Sequence, residues 1–181
     1  MRYHIAIGRP ELKSPACDVS VFFLNQNIPM KQIEIIKGVR EKILELVSGL
    51  SVEQMNEIPE GFNNNIAWNI GHPVATQQSV CYSRAGLPML IDEAFFERYK
   101  SGTKPEAFIS AAEIEEIKQL FTALPDRLAA DCDKQVFGNY TTWTNRYGTE
   151  IGNIEDALSF VAFHEGIHFG YIMALKRALK E

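Results

Sequence analysis

From about Gln32 onward, apolar residues recur at three- and four-residue steps in four separate long stretches, the pattern of helices that each bury one face. The first runs from about Gln32 to Val47, with Ile36, Val39, Ile43, Leu46 and Leu50 at that spacing. The second runs from about Asn65 to Ala85 and stops at Gly86 and Pro88. The third starts at Ser110, whose hydroxyl can cap while Glu113 reaches back, and carries Ile117, Leu120, Leu124 and Leu128. Asn153 caps the fourth, which continues to about Leu179. Four such helices predict an all-α four-helix bundle.

Shorter pieces fill the gaps. Ser51 and Gln54 form a capping-box signature for one turn before Pro59, and Asp92 to Lys100 can make a brief helix ahead of the breaker at Gly102–Pro105. Between Gln135 and Gly152 the pattern changes: Phe137, Tyr140, Trp143 and Tyr147 lie among threonines, asparagines and glycines. This reads as a loop or short β-hairpin inserted between helices three and four. The N-terminal residues 1–29 hold Pro10, Pro15 and Pro29 and show no sustained helical period. We expect them to be a non-native or loosely docked extension of a bundle domain at 30–181, with Met30 as a possible true start.

Composition narrows the function classes. Net charge is −5 and the basic residues are scattered, against the clustered Lys and Arg that nucleic-acid binding needs. Cys17, Cys81 and Cys132 form no CxxC pair and no even framework, which suits a reducing cytoplasm. No apolar run approaches the roughly 20 residues that span a bilayer, so no membrane partner is expected.

The fourth helix points to chemistry. Ala157, Val161, His164, His168, Tyr171 and Leu175 are spaced as an inward stripe, which puts two histidines side by side on it. At i and i+4 the two rings can converge on one ion. His72, on the second helix, shares its face with Asn65, Trp68, Thr76 and Ser79, a mixed polar and aromatic wall where a plain core stripe would be Leu and Val. Pro73 removes one helix hydrogen bond there and predicts a local kink. His4 lies in the patternless N-terminal stretch and is left out of the set.

His164-Glu165-Gly166-Ile167-His168 also matches the HExxH pattern of zinc peptidases, with Glu165 as general base. That reading needs a third ligand downstream, and the position six residues after His168 is Ala174. Glu165 instead reads as a carboxylate on the helix surface or beside the metal ligands, about 100° around the helix from His164.

The runs Asn63-Asn64-Asn65-Ile66-Ala67-Trp68-Asn69-Ile70-Gly71-His72 and His164-Glu165-Gly166-Ile167-His168-Phe169-Gly170 resemble the DinB-like family of metal-binding four-helix bundles, over roughly Met30 to the C-terminus. Pro73 stands where that family usually has an aliphatic residue, and Tyr171 where glutamine is common. The resemblance implies a divalent ion, zinc or nickel, on His72, His164 and His168. It also implies a homodimer and a small-molecule substrate. Relatives of that kind include enzymes that use low-molecular-weight thiols, so a thiol-linked transferase or a hydrolase is the expected activity. The alternative is a non-catalytic bundle that binds a metal or ligand. Asn65, Asn69, Thr76, Glu165 and Tyr171 are the expected residues around the ligands, able to fix imidazole tautomers or orient substrate.

Overall fold

The computed structural model describes residues 28–179. His4, Cys17 and nearly all of the expected N-terminal extension lie outside them. Four long helices form the body: α1 (Ile28–Val47), α3 (Ile66–Gln77), α5 (Ala111–Asp133) and α6 (Ile154–Ala178). Two short ones, α2 (Val52–Asn56) and α4 (Glu93–Tyr99), bracket α3. Strands β1 (Trp143–Thr144) and β2 (Glu150–Ile151) pair antiparallel, Trp143 opposite Ile151, as the hairpin between α5 and α6. The fold is thus a helical bundle with a small hairpin insertion. α1 packs along α5 and α6, and α3 packs along the same two, so the four helices close a square.

Local chemistry sets the helix starts. Ser51 and Ser110 each complete a reciprocal capping box, with Gln54 and Glu113. Asn153 accepts from Asp156 N and starts α6, while Asp92 accepts from Phe95 N and starts α4. α1 is described from Ile28, so the boundary expected at Met30 falls inside a helix. α3 stays α-helical through Pro73 to Gln77 and then widens into a π turn at Gln78–Tyr82 before Gly86 ends it in the left-handed region, φ 71°.

The core seam of α1 is Ile33, Ile36, Arg40, Ile43 and Val47, all buried. An arginine therefore occupies a core position, while the expected inward residues Val39 and Leu46 are half-buried. Arg40 divides the interior into two apolar clusters. Ile43, Val47, Ile70, Val74, Phe121 and Ile172 belong to one, and Ile33, Ile36, Val80, Leu128, Leu158 and Val161 to the other. Between them Arg40 ties the four long helices together. Its Nη2 and Nε donate to Glu165 Oε1 of α6 at 2.6 and 3.0 Å. Nη1 donates to the Phe121 carbonyl of α5 at 3.0 Å, and Nη2 also reaches the Pro73 carbonyl of α3 at 3.4 Å. Pro125, four residues after Phe121, has no N–H to offer that carbonyl, so the guanidinium replaces a bond the helix cannot make.

α6 is long enough, and apolar enough over part of its length, to cross a bilayer by length and composition alone, so one segment comes nearer to that than expected. Here the helix carries the buried Glu165 and two histidines and packs against α1 and α3.

Candidate metal centre

Three imidazoles meet at the polar level of the bundle. His72 comes from α3, His164 and His168 from α6, and one ring nitrogen of each lies within 4.8 Å of the others. Ring centroids are 4.5 to 5.1 Å apart. All three rings border one cavity of about 780 Å³, which the hairpin and the turn after α4 also line.

Two of the three rings are oriented by a specific neighbour. His72 Nδ1 lies 2.6 Å from the Tyr99 carbonyl, an oxygen at the end of α4 with no helical N–H to accept. A carbonyl can only accept, so Nδ1 donates and Nε2 carries the lone pair, with the Thr76 hydroxyl 3.3 Å away placed to donate to it. Trp68, one turn earlier on α3, stacks on the same ring at 4.6 Å and 10°. Gly71 makes the α4 contact possible: a Cβ there would lie 2.6 Å from the Tyr99 ring. His168 Nδ1 is 2.9 Å from Asn69 Oδ1, and Asn69 Nδ2 donates to the Asn65 carbonyl, which fixes the amide's sense. His168 therefore also presents Nε2. His164 Nδ1 is buried with no hydrogen-bond partner among the described residues. An orphaned buried nitrogen costs about 1–3 kcal/mol, and a cation among three rings is the kind of group that relieves such a site.

The rings are held neutral, the form a metal needs. Burial first, then the neighbouring imidazoles, push His164 down to about 2. Burial, then His72 and Arg146, push His168 down to about 3. Burial lowers His72 as well, against the raising effect of its bond to Tyr99. The donor set, its neutrality and the orphaned nitrogen all fit a divalent ion.

The folded pKa of His164 and of His168 lies far below the unfolded value of about 6.5. Below that pH the unfolded chain binds protons that the folded chain does not. Stability is therefore full above pH 6.5 and is lost as pH falls. The unfolded ring goes from half to mostly protonated over this range, so each contributes about 1 kcal/mol, and metal-free protein should lose roughly 2 kcal/mol between pH 6.5 and 5.5. Urea unfolding at those two values measures it; an unchanged midpoint would show that the rings are not buried as described.

The remaining expected residues divide. Asn69 holds His168, and Thr76 Oγ1 is 3.3 Å from His72 Nε2. Tyr171 borders the cavity and packs edge-on against Phe62 at 5.6 Å. Asn65 is instead the cap of α3, its side chain accepting from Trp68 N and donating to the Asn56 carbonyl. Glu165 is neither a surface residue nor a partner of the histidines. It is fully buried, does not border the cavity, and is bonded to Arg40; burial pushes its carboxyl up while the guanidinium pulls it back. That also leaves the HExxH arrangement without a base, because the carboxylate is paired with Arg40 and does not border the cavity.

A family model described as the DinB superfamily matches residues 35–172, about three quarters of the chain and all three histidines. The chain belongs to the DinB superfamily. No curated protein matches it. The match spans α3, α5, the hairpin and most of α1 and α6, so the histidine cluster, the Arg40 tie and the residues that line the cavity all lie within it.

Proposed function

We propose that this DinB-superfamily protein is a metal-dependent enzyme, a thiol-linked transferase or a hydrolase acting on a small molecule. The observation that carries this is the placement of the three convergent imidazoles on the wall of a roomy cavity, where a ligand can reach an ion that they hold. Three neutral nitrogens leave at least one coordination position open, as catalytic sites do. A divalent cation, zinc or nickel, would supply Lewis acidity that lowers the pKa of a thiol or water beside it. The chain's own part is positional. Tyr99, Trp68 and Asn69 hold the rings, and Trp143 and Phe160 form an apolar wall that keeps bulk water from one side of the substrate. Among the described residues no aspartate or glutamate borders the cavity.

We place the protein in the cytoplasm, which the free Cys81 and Cys132 favour. We also propose a homodimer. α6 exposes Phe163 and Met173 at 54% and 48%, with Ile167, which also borders the cavity, at 38%, and a second copy is the occupant proposed for this surface. A monomeric mass by light scattering at micromolar concentration would remove that part.

For the transfer, sulfur bonds to an electrophilic carbon as the thiol proton leaves to solvent and the leaving group departs with its electron pair. The assay uses zinc- or nickel-loaded protein, an activated aryl halide and cysteine as the thiol. Turnover should require both metal and thiol. Metal-dependent ester hydrolysis without thiol would select the hydrolase, and full turnover after chelation would overturn both.

A further inference from the structure

Among the described residues the cavity is lined by Arg84, Lys100 and Arg146 and by no acidic side chain. The ammonium of Lys100 is taken by Glu97. Among the described residues Arg84 and Arg146 have no carboxylate partner: Arg84 lies over the Trp143 ring at 5.0 Å, and Arg146 Nη2 donates to Ser101 Oγ at 3.2 Å. Arg146 is carried by the turn of the β1–β2 hairpin, and that turn is well fixed. Asn145 Oδ1 accepts from Tyr147 N and Thr149 N, at 2.9 and 3.0 Å, and the Tyr147 ring meets Phe163 of α6 edge-on at 5.4 Å. The hairpin thus holds a cation over the histidine cluster, and its charge bears on all three imidazoles.

This arrangement is electrostatically incomplete. A divalent ion on three neutral rings, with Arg146 and Arg84 around the same cavity, sums to positive charge that no acidic side chain bordering the cavity offsets. The missing counter-charge has to arrive with the ligand. We propose that the molecule bound here is an organic oxyanion, a carboxylate or phosphate on an apolar body. Arg146 and Arg84 bind its charged end at the mouth, and Trp143 and Phe160 bind its body. This assigns a substrate class to the site proposed above and so rests on that reading.

The test is calorimetric binding to the full chain, zinc-loaded and metal-free, of phenylacetate, phenyl phosphate and the uncharged phenylacetamide. At least one acid should bind about ten-fold or more tightly than the amide, and the preference should shrink in high salt. The tighter of the two names the oxyanion. Arg146→Gln should bring the acid close to the amide's affinity, and Arg84→Gln should do so in part. Without any anion, Arg146→Gln should bind zinc a few-fold more tightly at low salt, because a repulsive charge has gone. Equal binding of acid and amide, or wild-type acid binding by Arg146→Gln, overturns the proposal. If zinc fails to bind, the metal reading falls by itself; the metal-free comparison of acid with amide still decides the arginines.

Discussion

Replacing Arg40 by methionine is expected to cost the fold about 3–5 kcal/mol, a large part of the stability of a domain this size. Arg40 is 2% exposed, and its removal strands Glu165, which is wholly buried, without its cation. It also strands the Phe121 carbonyl, which Pro125 cannot serve, and removes the guanidinium stacked 4.5 Å over the Phe121 ring. Methionine fills most of the volume, so the loss measures unpaired polar groups more than a cavity. The double variant Arg40→Met with Glu165→Leu should recover most of the loss, since a buried ion pair replaced whole by apolar residues is often neutral. Urea unfolding of the three proteins decides it. A loss under about 1 kcal/mol in the single variant would mean that the pair contributes no more than a surface salt bridge.

That same pair marks where the sequence stops being legible. The four helices, the two capping boxes, the Asn153 cap and the hairpin can be read from spacing and turn chemistry because those signals are local. Arg40 and Glu165 stand 125 residues apart, and each taken alone looks like a residue of the polar face. Yet the buried residues of α6 are Ala157, Leu158, Val161, Glu165, His168, Ile172 and Leu175, an arc with Glu165 inside it. His164 and Tyr171 fall at its margin, toward the cavity, so an apolar count that passes over the glutamate rotates the face by part of a turn. Asn65 was legible in kind but not in role: the same residue type that lines a site also caps a helix, and the cap is what it does.

The histidines themselves could be found by type and spacing, whereas two of the features that position or surround them could not. The Tyr99 contact to His72 is a main-chain oxygen at the end of a short helix, and no side-chain pattern announces it. Gly71 gives a weak signal, a helix-interior glycine that admits the Tyr99 ring. Arg146 sits on a turn whose place over the cavity depends on how the hairpin folds back against α6.

Whether His72, His164 and His168 hold one divalent ion together is measured most directly by a zinc titration of the full chain and its variants at pH 7.5. Wild-type protein should bind one ion per chain. His72→Ala, His164→Ala and His168→Ala should each weaken binding on the order of 100-fold or more while circular dichroism stays helical, because the apolar clusters supply most of the stability. Asn69→Ala, which frees the His168 ring without removing a ligand, should fall between, about 10- to 100-fold weaker. A His72→Ala protein that still binds one zinc per chain with wild-type affinity would contradict the claim, because the two histidines of α6 would then be holding the ion without the ring that α3 brings to them.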